Sequence, residues 1–310
     1  MTSAIILFSH GSVLCGAGEA LERHAARLRD LGLADIVEIG YLNYSEPLFS
    51  EAVDECVQLG ADAIVVAPYF LVPGYFVNVD LPKCLAAAQD AHPDVAFIPA
   101  EPIGFDARLV DALIETANRP LHRFQWRDDL LEAARHCRSN VNCPLYGTAN
   151  CPAGKEGHVL TQPVCVQTYG KVRNGPPPAL LVMAHGTPNP TANAEMYRVV
   201  EEIRERAAFP IVAAGFLDCN QPSIPEAIDQ CVGLGAQSIV AVPYFLHPGM
   251  HVADDLPTLI EEAERRHPAV SFAMGSYLGQ AGQLSEILAD RIQAARDRYS
   301  DARNPPSPRA

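Results

Sequence analysis

The sequence lacks both a long hydrophobic run and a basic leader. No stretch of its 310 residues approaches the roughly 18–20 consecutive apolar residues that span a bilayer. Met1 leads directly into the strand-like run AIILFSHGS, with no positively charged segment before it. We therefore expect a protein that does not enter a membrane, is not exported and works in the cytoplasm.

Positive charge is also scarce. There are 23 Lys and Arg against 37 Asp and Glu, a net charge of -14. This balance argues against nucleic acid or an anionic membrane as the main partner. Residues 119–177 are the exception, because they hold eight Lys or Arg against four acids. We interpret them as an insert that is electrostatically distinct from the rest of the chain.

The rest of the chain consists of two copies of one unit, offset by 175 residues. Residues 60–82 read GADAIVVAPYFLVPGYFVNVDLP and residues 235–257 read GAQSIVAVPYFLHPGMHVADDLP, with 14 of 23 positions identical and no gap. The same offset aligns His10-Gly11 with His185-Gly186. It places Phe76 opposite His251, so only the second copy has a histidine in both its HG turn and its PGxx loop.

Each copy alternates short apolar runs with longer amphipathic ones, a pattern typical of β-α units around a parallel sheet. The strand candidates are residues 4–9, 36–42, 63–69 and 95–100 in the first copy, and 179–184, 211–217, 238–244 and 270–275 in the second. The predicted division is a first α/β domain at 1–118, the insert and linker at 119–177, a second α/β domain at 178–298 and a disordered tail at 299–310.

The histidines follow predicted strands. His10 and His185 come after the first strand of each copy, and the loop that contains His251 follows the third. Ligands of open parallel sheets bind at the carboxyl ends of the strands. We therefore expect His185 and His251 to reach the same crevice. His247 lies four residues before His251 but across Pro248-Gly249, so a shared helical face is not assured. We interpret it as a residue that lines the crevice or binds carboxylates of a ligand, or as a solvated loop residue.

Asp80-Leu81-Pro82 and Asp255-Leu256-Pro257 have the pattern of helix starts. Asp accepts hydrogen bonds from the first amides of a helix, and Pro is tolerated in its first turn. We interpret Asp255 as such a cap, because Asp80 occupies the same place in the copy without the second histidine. The alternative is that Asp255 assists a metal at His251.

The HG turn, the PYFL-x-PGxH-x-x-x-DLP loop and the duplicated unit resemble the class II tetrapyrrole chelatases, and within them the long, two-domain CbiX-type sirohydrochlorin chelatases. The resemblance covers residues 3–118 and 179–298. It implies two flavodoxin-like, chelatase-like parallel-sheet domains facing a cleft. It also implies a lyase that inserts Co²⁺ or Fe²⁺ into sirohydrochlorin, without ATP, on the route to cobalamin or sirohaem.

The family's histidine pair falls on His185 and His251, as metal ligands and proton acceptors. The first copy retains His10 but has Phe76 at the second position, so we expect the second copy to bind the metal and the first to shape the tetrapyrrole pocket. Insertion removes two pyrrole protons, and histidine, with an unperturbed pKa of about 6.5, both binds metal and accepts a proton. Neutral imidazole does not choose among Co²⁺, Fe²⁺ and Ni²⁺.

The insert contains Cys137, Cys143, Cys151 and Cys165, spaced C-x5-C-x7-C-x13-C. Four thiolates in a loop-rich segment can hold an iron-sulfur cluster or a tetrahedral Zn²⁺. Two of the cysteines precede Pro, which favours iron-sulfur, and some long CbiX-type proteins carry a [4Fe-4S] cluster. The alternative is that these cysteines bind no metal.

A second hypothesis is a non-catalytic tetrapyrrole- or metal-binding protein whose insert is an iron-sulfur redox or sensor domain. The incomplete histidine set of the first copy allows it. A flavodoxin-like FMN protein is disfavoured, because the HG turns lack a phosphate-cradling sequence. The sequence does not set the oligomeric state.

Overall fold

The computed structural model describes residues 2–12, 18–119, 177–189, 193–249 and 251–303. Its strands form two four-stranded parallel sheets with the same strand order. The first sheet has the order β2-β1-β3-β4, with the strands β1 (Thr2–Ser9), β2 (Ile36–Tyr41), β3 (Ala61–Pro68) and β4 (Ala96–Pro99). The second has the order β6-β5-β7-β8, with β5 (Ala179–Ala184), β6 (Val212–Phe216), β7 (Ser238–Pro243) and β8 (Ser271–Met274).

Helices connect the strands, as parallel pairing requires. They are α1 (Glu19–Asp30), α2 (Phe49–Gln58), α3 (Leu81–Ala91), α4 (Ala107–Asn118), α5 (Ala194–Glu205), α6 (Ile224–Gly233), α7 (Leu256–Arg266) and α8 (Gln283–Arg303). A π-helical turn precedes α3 at Phe76–Asp80 and another precedes α7 at His251–Asp255. No helix in the described ranges is both long enough and apolar enough to cross a membrane.

The first strand of each copy, β1 or β5, is an interior strand of its sheet and is buried. Ala4 to Phe8 of β1 and all six residues of β5 are inaccessible or nearly so. This burial explains why these strands are apolar at successive positions, as is typical of a parallel sheet covered on both faces. The predicted fold class, two α/β parallel-sheet domains, is confirmed.

The chain forms two compact units, and the last helix of each predicted domain belongs to the other unit. The unit with the first sheet, here the first lobe, takes residues 2–11, 21–104 and 282–303 of those described. The unit with the second sheet, the second lobe, takes residues 12, 18–20, 105–119, 177–189, 193–249 and 251–281 of those described. Helix α4 thus groups with the second sheet and α8 with the first, although the sequence pattern assigned each to the preceding copy.

Specific contacts account for this grouping. In the second lobe, the backbone N–H of Phe105 donates to Glu195 Oε2 at 3.0 Å, and the guanidinium of Arg198 lies 4.0 Å from the centre of the Phe105 ring. In the first lobe, Ser285 of α8 is buried and its Oγ lies 2.8 Å from His24 Nδ1. Helix α8 also continues to Arg303, beyond the predicted start of the tail at 299.

Candidate metal site of the second lobe

The HG turn after β5 requires glycine. Gly186 has φ +92°, a left-handed conformation, and a β-carbon there would clash with the backbone oxygen of Asp218. The backbone N–H of Asp218 donates to the carbonyl of His185 at 2.8 Å, which ties the turn to the segment after β6. Gly11 in the first lobe has φ +89°, and a β-carbon there would likewise clash with the backbone oxygen of Asn43. The turn therefore fixes the backbone position of the histidine at the end of the strand.

The second histidine lies on the π-helical turn His251–Asp255, which continues into α7 without a break. Asp255 already has helical backbone angles, φ -63° and ψ -50°, and within the described residues its side chain makes no capping hydrogen bond. The predicted cap is therefore wrong. The π turn has instead directed the Asp255 carboxylate to His251, whose Nδ1 lies 2.6 Å from Asp255 Oδ2.

The side chains of the two histidines in this lobe are in contact. The ring centroids of His185 and His251 are 4.9 Å apart, with the rings at 71° to each other. His185 Nδ1 lies 3.1 Å from the carbonyl oxygen of Gly186. A carbonyl or carboxylate oxygen can only accept a hydrogen bond, so in both histidines Nδ1 is the donor and, in the neutral ring, Nε2 retains its lone pair.

A metal ion held by this pair would have most of its coordination positions open. Among the residues that the structure describes, no group of three or more His, Cys, Asp or Glu side chains forms a metal-binding cluster. The His251 side chain is 44% exposed, and His185 is an exposed residue. Two imidazoles with free positions around them suit an ion that is received and passed on, since a structural site would complete the ligand set with protein groups.

The first lobe has the same turn with a different second residue. His10 Nδ1 donates to the carbonyl of Gly11 at 3.2 Å. Phe76 opens the π turn of this lobe, and its ring centroid lies 4.2 Å from that of His10. An aromatic ring therefore lies at the position that His251 occupies in the second lobe, as the repeat offset predicts.

The remaining predicted residues fall in different places. His247 is a half-buried residue of a bend before the π turn, so it does not share a helical face with His251. Cys137, Cys143, Cys151 and Cys165 lie outside the described residues. The sequence pattern does not point to Asn220, whose Oδ1 accepts a hydrogen bond from the backbone N–H of Thr187 at 2.7 Å and holds the HG turn. The repeat gives no signal for it, because Ser45 occupies that position in the first copy.

A family model named CbiX matches residues 4–119 and 179–295, one match in each copy. The chain belongs to the CbiX family. Over 290 residues this CbiX chain is 23% identical to the sirohydrochlorin cobaltochelatase of Priestia megaterium, covering 94% of this chain and 79% of that protein. It is 20% identical over 294 residues to the sirohydrochlorin ferrochelatase of the same organism, covering 94% and 89%.

The fold also resembles that of a solved structure. SirB from Bacillus subtilis with Fe³⁺ superposes with a TM-score of 0.68 at 18% sequence identity, over 97% of this chain and 98% of that one. At this level of identity the likeness shows the shared two-lobed chelatase fold. The assignment of individual site residues depends on the geometry of this chain.

Proposed function

We propose that this CbiX chain is a sirohydrochlorin chelatase, a lyase that inserts Co²⁺ or Fe²⁺ into the macrocycle without ATP, as a step toward cobalamin or sirohaem. The names of its relatives support the substrate, and the CbiX matches in both copies support the reaction class. The observation that carries the proposal is the His185 and His251 pair, two adjacent imidazoles whose Nδ1–H groups are both engaged, which leaves Nε2 of each as the metal-binding atom.

Insertion converts a hydrated divalent ion and a macrocycle with two pyrrole N–H groups into the metallated macrocycle, two protons and the released water. In the proposed mechanism, Nε2 of His185 and Nε2 of His251 hold the substrate ion, while its open positions accept the ring nitrogens. As each metal–imidazole bond is replaced by a metal–pyrrole bond, the released Nε2 is free to accept one of the two pyrrole protons. The number of imidazole ligands thus equals the number of protons released. Histidine can both bind a metal and accept a proton near neutral pH.

Asp255 supports this step as a positioning residue. A carboxylate bound to the Nδ1–H of a ligating histidine fixes the tautomer and the ring orientation, so that Nε2 points at the metal. The 2.6 Å contact between Asp255 Oδ2 and His251 Nδ1 has this geometry. His247, on the loop that leads to the site, stays a predicted contact for substrate carboxylates.

The test is turnover. Sirohydrochlorin in about 50-fold excess over protein, with Co²⁺, Fe²⁺ or Ni²⁺ under anaerobic conditions, is followed by its visible absorbance against a protein-free control. We expect many equivalents of metallated product per protein. Product that stops at one equivalent would instead support the non-catalytic tetrapyrrole-binding alternative. Comparing initial rates with the three metals identifies the preferred substrate ion.

A cluster in the insert stays a prediction from its four cysteines, two of which precede proline, and from the resemblance to long CbiX-type proteins. We propose that Cys137, Cys143, Cys151 and Cys165 hold a [4Fe-4S] cluster, with Zn²⁺ as the alternative. Protein prepared anaerobically should contain iron and absorb visible light, and serine at any of the four positions should remove both. Colourless, iron-free protein that contains zinc would favour the alternative, and metal-free protein would remove the cysteine site altogether.

A further inference from the structure

The first lobe presents a single imidazole where the second lobe presents two. His10 has its Nδ1–H occupied by the carbonyl of Gly11, so Nε2 is the atom that can bind a ligand. Phe76 occupies the place of a second histidine and packs on the His10 ring at 4.2 Å. One imidazole replaces one water of a hydrated ion, so this lobe is poorly equipped to capture a free metal.

Aromatic side chains surround this imidazole. The Tyr44 ring centroid lies 5.5 Å from that of His10, and Phe70 lies 6.0 Å from Phe76. Tyr44 is 59% exposed and Tyr75 is 63% exposed, a large aromatic area facing solvent. The repeat offset places Cys219 opposite Tyr44 and Met250 opposite Tyr75. The metal-ligand position and two positions near it are therefore aromatic in the first lobe alone.

A metal that is already bound in a macrocycle requires fewer ligands from the protein than a free ion does. In a metallated tetrapyrrole four nitrogens occupy the equatorial positions and one axial imidazole is a sufficient protein ligand. The conjugated macrocycle offers a flat apolar face and edge, which aromatic side chains contact favourably. Lys83 is 66% exposed, lies 5.8 Å from the centre of the Tyr75 ring and pairs with Asp80 at 3.4 Å. A peripheral carboxylate of the macrocycle can reach this cation from its solvent side.

We propose that the first lobe is a binding site for the metallated tetrapyrrole, with His10 Nε2 as axial ligand and Tyr44, Tyr75 and Phe76 against the macrocycle. The ligand class rests on the proposed function, since the metallated macrocycle is the product of that reaction. The two lobes then bind different forms of the metal, because they offer different numbers of imidazole ligands. Two imidazoles receive the free ion, and one imidazole among aromatic rings holds the chelated ion.

The experiment uses the full chain with His185→Ala and His251→Ala, so that the second lobe contributes no ligand. Preformed cobalt sirohydrochlorin and metal-free sirohydrochlorin are titrated separately and followed by visible absorbance. Adding His10→Ala should weaken binding of the cobalt form by about tenfold or more, because loss of even an outer partner of a ligand costs about 10–100-fold. It should leave binding of the metal-free form unchanged.

Two further variants separate ligation from folding. His92→Ala removes a half-buried histidine of the same lobe that pairs with Asp54 at 2.8 Å, and should not change either titration. Free imidazole added to the His10→Ala protein should restore the axially ligated spectrum. Equal affinity of the His10→Ala and parent proteins for the cobalt form, or no spectral response to imidazole, would overturn the proposal.

The outcome is independent of the chelatase assay. A wild-type protein that turns over while His10→Ala leaves cobalt sirohydrochlorin binding intact would refute only the product site. A protein that binds cobalt sirohydrochlorin through His10 but inserts no metal would refute only the proposed function.

Discussion

Nδ1 of His251 and Oδ2 of Asp255 are 2.6 Å apart, across the π turn that starts α7. In the first lobe the corresponding aspartate, Asp80, follows Phe76 at the same spacing and pairs with Lys83 at 3.4 Å. The two aspartates occupy equivalent positions, each at the end of a π turn that precedes a helix. They differ in whether a histidine lies four residues before them. The chain therefore contains its own control for the role of Asp255.

We predict that Asp255→Ala lowers the initial rate of metal insertion by about 10–100-fold, the usual cost of losing the carboxylate partner of a ligating histidine. The KM for the metal should rise, because His251 no longer holds Nε2 in place. Asp80→Ala should leave the rate and the KM unchanged. Equal losses in the two variants would show that these aspartates serve only the start of their helices.

A second prediction concerns the HG turn. Gly186→Ala should lower the free energy of unfolding in urea by the cost of a left-handed alanine, about 1–2 kcal/mol, and by a further 1–3 kcal/mol, roughly, for the clash with Asp218. Gly235→Ala is the matched control, since Gly235 has φ +93° and open space where the β-carbon would lie. It should show the first cost alone, and equal losses would contradict the clash.

A third prediction concerns two buried thiols related by the repeat. Burial, with Glu38 and Glu55 nearby, raises the pKa of Cys56 to about 12, and burial raises that of Cys231 to about 11. At pH 8 only roughly one Cys56 thiol in 10,000 is ionised, so alkylation should be very slow. Cys219 is exposed, and desolvation and Asp218 raise the pKa of its thiol as well.

Peptide mapping after iodoacetamide treatment checks this order. Cys219 should be modified in the native protein, while Cys56 and Cys231 should react only after unfolding. Native-state labelling of Cys56 or Cys231 at the rate of Cys219 would contradict the burial of the α2 and α6 faces on which they lie.

The sequence predicts the strands and the histidine pair for a physical reason. Two similar segments at a fixed offset indicate that the same fold occurs twice, so a difference in residue chemistry such as Phe76 opposite His251 can be located. Strand burial follows from runs such as Ala4 to Phe8, which are apolar at successive positions.

Two features could not be derived in this way. Asp80 and Asp255 both precede Leu-Pro, and the pattern does not distinguish a capping aspartate from one carried on a π turn toward a histidine. The amphipathic pattern of α4 shows that one face is buried but not which sheet buries it. Contacts far apart in sequence decide this, such as the hydrogen bond between Phe105 and Glu195.

The most direct test of the central claim is the initial rate of Co²⁺ insertion into sirohydrochlorin by the wild type and by His185→Ala, His251→Ala and His267→Ala. The last is a control in the same lobe, since His267 pairs with Asp229 at 2.7 Å. We predict that His185→Ala and His251→Ala each lose nearly all activity while His267→Ala retains it. Wild-type rates in both the His185→Ala and His251→Ala proteins would show that the second-lobe pair does not carry the reaction.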